Sequence, residues 1–273
     1  MRTPKARCAP IDTSRMAEWL NRFHGYRIPA TEVRIKFWLR NFKPEDADLA
    51  ARVLDVVEFL KHEDMEAALR RIVTGLAGWH KEERRRRGRW RFVAFSVSAG
   101  ESGDSMLHRL RTALGLTSRQ YNSLFIYKAD LIRERLSAAD TVVFVDDFAG
   151  TGQQACDAWL EIAELLPGSP RAYLIVVAAG RRAIDRISSE TGLNVVTNHV
   201  LEMDDDVFSA ACEQFTPQEK ADLLAYCRQA DAKKPKGFGE CGFLVVMAHG
   251  TPNNSIPVLH ASHARWQGLF PRH

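Results

Sequence analysis

The spacing of apolar residues changes character about a third of the way along the chain. From about Asp12 to Arg89 the pattern is helical. Over residues 44–60 a proline and two acids, Glu45 and Asp46, open a segment in which Leu49, Val53, Val56, Val57 and Leu60 recur at steps of three and four, the spacing of one helix face. A second helix is predicted from about Glu63, with Ala67, Leu69, Ile72, Val73 and Leu76 on one side. It runs into a charged stretch that begins at Lys81 and is stopped by Gly88. Beyond Gly88 the period shortens. Trp90, Phe92, Ala94, Phe95 and Val97 make a strand-length run that closes on a loop rich in glycine and serine. Similar runs occupy residues 141–145, 172–178, 194–201 and 242–247, with helical segments such as 155–166 between most of them. Strands that alternate with helices predict an α/β fold, a mostly parallel sheet flanked by helices, here preceded by an N-terminal helical region. The change of period puts the organisation at a helical region over 1–88, an α/β domain over 89–260 and a short tail over 261–273.

Composition narrows the class of protein. A chain of 273 residues, 45% of them hydrophobic, can bury a substantial core. Its longest apolar stretches, such as 173–179, are strand-length, against the roughly 20 residues of a membrane helix. The basic start, Met1-Arg2-Thr3-Pro4-Lys5, is followed by no apolar run of a secretory signal, so the expectation is a cytoplasmic protein with no membrane partner. Cys8, Cys156, Cys212, Cys227 and Cys241 are scattered and never spaced Cys-x-x-Cys, which argues against a disulfide framework and a zinc site. The net charge is +4, and positive charge bunches over residues 81–91. Within it Arg84, Arg85, Arg86 and Arg87 read either as a solvated helix end or as a contact for nucleic acid or a protein partner.

The densest chemistry lies where the run 141–145 meets Asp146, Asp147, Phe148, Ala149, Gly150, Thr151, Gly152, Gln153 and Gln154, which lead into a helix with Ala155, Trp159, Ile162 and Leu166 on one face. The carboxyl ends of parallel strands form a ligand crevice, so both acids are delivered to a cleft. The glycines let successive amides converge, and a helix N-terminus adds partial positive charge. Acids beside an amide nest suit a sugar phosphate: the carboxylates accept from vicinal ribose hydroxyls, and the nest with the Thr151 hydroxyl holds the phosphate. A nucleoside-triphosphatase would use the same acids but needs Gly-x-x-x-x-Gly-Lys-Ser/Thr, which does not occur; a receiver-like fold gives no reason for the Gly-Thr-Gly turn. A plain tight turn with two solvated acids is the remaining structural alternative.

The strand, the paired acids and the Thr-Gly loop resemble the phosphoribosyl-pyrophosphate signature of type I phosphoribosyltransferases. In the form seen here, together with His249-Gly250-Thr251-Pro252-Asn253-Asn254-Ser255-Ile256-Pro257, they resemble a phosphoribosyltransferase-like family of bacterial conflict and anti-phage cassettes, including some retron cassettes. The resemblance implies that Asp146 and Asp147 serve the ribose and that residues 148–154 bind substrate. It places a pyrophosphate-binding loop, by order of elements, at Ser98, Ala99, Gly100, Ser102 and Gly103. His249, Thr251, Asn253 and Asn254 become pocket-lining residues. Magnesium is implied as a cofactor bound mainly through the substrate, with no protein ligand assigned. Salvage enzymes place a hydroxyl residue where Gln154 stands, so binding is better supported than transfer.

The expected function is therefore a phosphoribosyltransferase-like protein that binds phosphoribosyl pyrophosphate or a related nucleotide and transfers or cleaves at the ribose anomeric carbon, as an anti-phage effector. The alternative is a non-catalytic nucleotide-sensing or scaffold subunit that engages nucleic acid or a partner protein.

Overall fold

The structure, a computed structural model, describes residues 13–95 and 102–272. Its elements in chain order are α1 (Thr13–Arg22), α2 (Glu32–Leu39), α3 (Ala47–Val56), β1 (Glu58–Leu60), α4 (His62–Gly75), β2 (Trp90–Ala94), α5 (Ser102–Ala113), α6 (Leu131–Glu134), β3 (Thr141–Ala149), α7 (Gln153–Glu164), β4 (Arg171–Gly180), α8 (Arg181–Glu190), β5 (Leu193–Leu201), α9 (Pro217–Ala230), β6 (Val245–Met247), α10 (Pro257–His260), β7 (Ser262–His263) and β8 (Trp266–Gln267). They form two compact units. Among the described residues, one unites 13–62 with 203–272, and the other takes 63–95 and 102–202, a continuous part of the chain.

The continuous unit is an α/β layer structure. Strands β2, β3, β4 and β5 lie side by side in chain order, every neighbouring pair parallel. Parallel neighbours need crossovers, and α7 and α8 supply two of them. Val142 and Phe144 of β3, with Leu174 and Val176 of β4, pack on Ala155 and Ile162 of α7 and on Ala183 and Ile187 of α8. Elsewhere in the unit Trp79 meets the rings of Trp90 and Phe92 edge-on, and Phe125 stacks on Phe92. Strands covered on both faces are apolar without alternation, which is why β3 and β4 read as continuous hydrophobic runs.

The amino ends of three strands are tied at one buried carboxylate. Asp140 accepts from the amides of Ser137 and Arg89, both at 2.8 Å, and from the Arg89 guanidinium at 2.9 Å. Its backbone continues the tie: Arg171 N donates to Asp140 O at 3.0 Å, and Thr141 N to Arg89 O at 2.8 Å. The fit leaves no room at Gly88, where φ is +72° and a Cβ would come within 2.0 Å of Ala139 O.

The other unit is built on aromatic packing. Phe23 meets Phe270 edge-on with centroids 4.9 Å apart, and Phe42 lies between Trp38, Tyr226 and Trp266. The indole N–H groups of Trp38 and Trp266 both donate to Val258 O, at 2.7 and 3.1 Å. Helix α9 starts at a capping box, Thr216 with Glu219, and Pro217 occupies its first turn.

Several expected boundaries move. The first helix stops at Val56, and residues 58–60 are a strand that pairs in parallel with β6. Val57 is already extended, and Phe59 is buried on the strand period. The run 242–247 thus contributes β6 to this two-stranded pair, apart from the four-stranded sheet. The second helix ends at Gly75. The charged run after it forms a closed loop with one 3-10 turn, Glu83–Arg85, because Gly78 takes φ +88° and Arg87 N donates back to Gly78 O at 2.9 Å. The division at Gly88 is likewise not where the compact units part, since α4 belongs with the sheet. Residues 261–272 are more than a tail: Trp266, Leu269 and Phe270 are fully buried, which a solvated tail could not offset. No helix among the described residues is long and apolar enough to cross a membrane.

Burial opposes the charge on Asp140, but its four donors outweigh that and hold its pKa at about 2, below the ordinary 3.8. A depressed folded pKa means that this stabilisation is present above the ordinary value and is lost as pH falls towards 2. Asp140→Asn should cost about 2 kcal/mol at pH 7 in urea unfolding, a loss that shrinks below about pH 4. A difference constant from neutral pH down to pH 2.5 would show that the carboxylate's charge is not what is stabilised.

Candidate functional site

Strand β3 is longer than β2, and the site grows from the difference. Pairing with β2 ends at Ala94 opposite Val145, closed by Phe95 N donating to Val145 O at 2.9 Å. Pairing with β4 continues through Phe148 opposite Ala178 and Ala149 opposite Ala179. Asp146 and Asp147 thus sit inside the strand, past the last residue of β2 rather than past the end of β3. The sequence puts the strand end at Val145 because two acids look like a terminus, whereas the ladder to β4 runs on through Asp146 opposite Val176 and continues at Phe148 opposite Ala178.

Asp146 is 8% exposed. Its Oδ1 accepts from the hydroxyl of Ser102, the first residue of α5, at 2.8 Å and from the Asp147 amide at 2.9 Å. Burial above all, and then the charge of Asp147, push its carboxyl well above the usual carboxylate range, and those two hydrogen bonds only partly oppose the shift. The direction makes Asp146 the more readily protonated member of the pair, and a protonated carboxyl can donate to a hydroxyl as well as accept from one. Ser102 also orders the entry of α5 against β3, and its neighbour Gly103 is buried.

The next residues turn sharply into α7. Gly152 is its N-cap with φ +76° and ψ −8°. A Cβ there would lie 3.0 Å from Ala183 O and 3.0 Å from Ile187 Cγ1, so glycine is demanded by the dihedral and by the approach of α8. The Thr151 hydroxyl accepts from Gln153 N at 3.3 Å. Phe148 is half-buried, Ala149 and Gly150 are buried, and Gln154 is exposed at the helix start. The Gln153 amide is engaged with Asp157 at 2.6 Å. The turn therefore offers the opening amides of a 12-residue helix beside an acid pair, an arrangement able to hold a phosphate and neighbouring hydroxyls.

The other expected site residues fare differently. Ser98, Ala99 and Gly100 lie outside the described residues. His249, Thr251, Asn253 and Asn254 belong to the unit that combines the two chain termini. There the Thr251 hydroxyl donates to Phe270 O at 2.8 Å, and the Asn254 amide to Phe238 O at 2.9 Å and to Cys241 Sγ at 3.3 Å. The Asn253 carbonyl accepts from Phe238 N at 2.7 Å while its side chain is exposed. Buried Thr251 and Asn254 thus secure their own loop.

The resemblance also implies magnesium, a hard cation that takes oxygen ligands. No three His, Cys, Asp or Glu side chains come together as a metal cage among the described residues. Only the Asp146–Asp147 pair is present at this turn, so the donor set fits a cation whose remaining ligands would be the phosphate and ribose oxygens of a substrate.

Replacement of Gly152 tests whether the turn and the α7–α8 contact are one constraint. Gly152→Ala should lower the thermal unfolding midpoint by several degrees, corresponding to about 1–3 kcal/mol for a left-handed residue with a close backbone neighbour. An unchanged midpoint would mean that the turn relaxes without cost.

The chain's relatives bear on what this turn is for. No curated protein matches the sequence. Among solved structures it is similar to a hypoxanthine-guanine-xanthine phosphoribosyltransferase at 11% identity and a TM-score of 0.31, over 52% of this chain and 76% of that one, a likeness too slight to carry an assignment. The model of the PRTase-CE family matches residues 35–272, a span that includes β2 to β5, the Asp146–Gln154 segment and the Thr251–Asn254 loop. With nearly all of its length matched, the chain belongs to the PRTase-CE family of phosphoribosyltransferase-like proteins.

Proposed function

We propose that this protein binds phosphoribosyl pyrophosphate, or a nucleotide closely related to it, at the Asp146–Gln154 turn, and that it transfers or cleaves at the ribose anomeric carbon. One observation carries the reading: a single strand-turn-helix segment places the Asp146–Asp147 pair next to the opening amides of α7. Family membership supports the same ligand class.

In this reading Asp146 and Asp147 engage the ribose 2′- and 3′-hydroxyls, and the amides around Thr151, Gly152 and Gln153 hold the 5′-phosphate. Ser102 is a positioning residue, since its hydroxyl orients the Asp146 carboxyl. Cleavage at the anomeric carbon develops positive charge on the ribose ring, and pyrophosphate leaves with the bonding electron pair. The acid pair lies against that ring and stabilises the developing charge through whichever of its carboxylates is ionised. The helix amides fix the far end of the sugar so that the reacting carbon meets its nucleophile in one orientation. Magnesium, when bound, would neutralise the diphosphate. No covalent protein nucleophile is needed. A role as an anti-phage effector rests on the sequence resemblance alone. The second reading, a nucleotide-sensing subunit without turnover, is favoured by Gln154, an exposed amide where salvage enzymes carry a hydroxyl.

Calorimetry with phosphoribosyl pyrophosphate and magnesium, paired with an assay for released pyrophosphate, separates the two readings. Wild type should bind, and Asp147→Asn should weaken binding by about tenfold or more, the loss of one charge-assisted hydrogen bond. Binding without pyrophosphate release across a panel of nitrogenous bases and water would favour the sensing subunit. Wild-type affinity in both Asp147→Asn and Asp146→Asn would remove the ribose assignment.

A further inference from the structure

A second cleft lies in the same unit, lined by residues that the proposed turnover does not use. A cleft of about 560 Å³ opens between the carboxyl half of α4 (Arg70, Thr74), the loop carrying Trp79, His80 and Lys81, and the end of α5 (Thr112, Ala113, Leu114, Gly115). That volume lies within the range of about 300–1,000 Å³ typical of ligand clefts and would take roughly one nucleotide. None of these nine lining residues is acidic. Two are permanently cationic, His80 adds a third basic group, and the Thr74 and Thr112 hydroxyls lie beside them.

The cleft wall is held firmly. Arg86, half-buried, donates to His80 O and to Lys81 O, each at 2.7 Å, and its guanidinium lies 5.2 Å from the Trp79 ring centroid. Trp79 is wedged in turn against Trp90 and Phe92 of β2. Among the described residues Lys81 has no carboxylate within ion-pair distance: its Nζ lies 5.7 Å from the Tyr121 ring centroid, and a Cβ on Gly115 would stand only 3.1 Å from it. Glycine at 115, with φ +61°, keeps that ammonium at the mouth of the cleft.

Positive charge extends past the rim. Arg71, Arg84, Arg85 and Arg87 are exposed around the same two segments, and among the described residues only Arg84 of these four has a carboxylate within ion-pair distance, Glu82 at 3.1 Å. By contrast, Arg89 and Arg91 at the start of β2 are paired, with Asp140 and Glu134. One small anion would need the cleft cations alone, and the surplus outside it calls for a ligand with phosphates in series. A duplex presents its phosphates on a convex cylinder, whereas a single strand can lay one nucleotide into a concave cleft and run its flanking phosphates over the rim.

We propose that this cleft and its arginine rim bind single-stranded nucleic acid, with one nucleotide between Arg70, Lys81 and Trp79 and the neighbouring phosphates on Arg84, Arg85 and Arg87. Contact is through the backbone, so recognition is weak in sequence and strong in charge. The surface is independent of the Asp146 turn.

Fluorescence anisotropy on the full chain, with labelled single-stranded oligonucleotides of about 20 nucleotides at low salt, tests the assignment. Wild type should bind, and its affinity should fall steeply as salt rises. The double variant Arg70→Ala/Lys81→Ala and the double variant Arg85→Glu/Arg87→Glu should each lose about tenfold or more, with unchanged circular dichroism. Asp147→Asn should bind the strand as wild type does, so failure of the ribose reading leaves this result intact. Wild-type affinity in both double variants would overturn the proposal. So would equal or tighter binding of a duplex of the same length, or displacement of the strand by micromolar mononucleotide, which would mark the cleft as a small-anion site.

Discussion

The difference in length between two neighbouring strands sets the geometry of the candidate site. Among the described residues β3 pairs on both sides up to Val145 and on the β4 side as far as Ala149. The backbone beyond Val145 is therefore held by the ladder to β4. Asp146 enters a buried position in this way, and a carboxyl in such a place must be hydrogen-bonded, protonated or both. Ser102 and the Asp147 amide provide the bonds, and burial beside Asp147 favours the proton. The ladder to β4 and the Ser102 hydroxyl hold the Asp146 carboxyl in place before any ligand arrives.

The rest of the continuous unit serves that placement. At the amino ends of β2, β3 and β4, the Asp140 carboxylate and the backbone bonds around it fix the strand starts relative to one another. At the opposite ends, Gly152 lets β3 turn into α7 within three residues and lets α8 approach so closely that a Cβ there would lie 3.0 Å from Ala183 O. A side chain at either Gly88 or Gly152 would strike a backbone carbonyl, so the two glycines define how closely the loops at the two ends of the sheet can be drawn.

Much of this was legible in the sequence, and the misses have physical causes. Strands β3 and β4 stand out because burial on both faces makes them continuous apolar runs. The Asp146–Gln154 segment stands out because few folds need two acids and a Gly-Thr-Gly turn together. Strand β1 was hidden because Val56, Val57 and Leu60 also fit the helical spacing of α3, and three residues are too few to establish a period of two. The end of α4 at Gly75 was masked by the charged residues beyond it, which have good helix propensity and are turned aside by Gly78. The cleft beside Trp79 joins segments some forty positions apart, so no local pattern could announce it. The tie at Asp140 was equally invisible, since an aspartate before a strand reads as an ordinary turn residue.

The central claim is that the Asp146 pair and the α7 amides hold two ends of one sugar phosphate. A crystal structure with phosphoribosyl pyrophosphate, or an analogue that cannot be cleaved, and magnesium tests it most directly. The account predicts ribose hydroxyl oxygens within about 3.2 Å of the Asp146 or Asp147 carboxyl oxygens, and the 5′-phosphate on the backbone amides of residues 151–153 at hydrogen-bonding distance. A ligand whose ribose lies away from both carboxyls, with no phosphate at the start of α7, would contradict it.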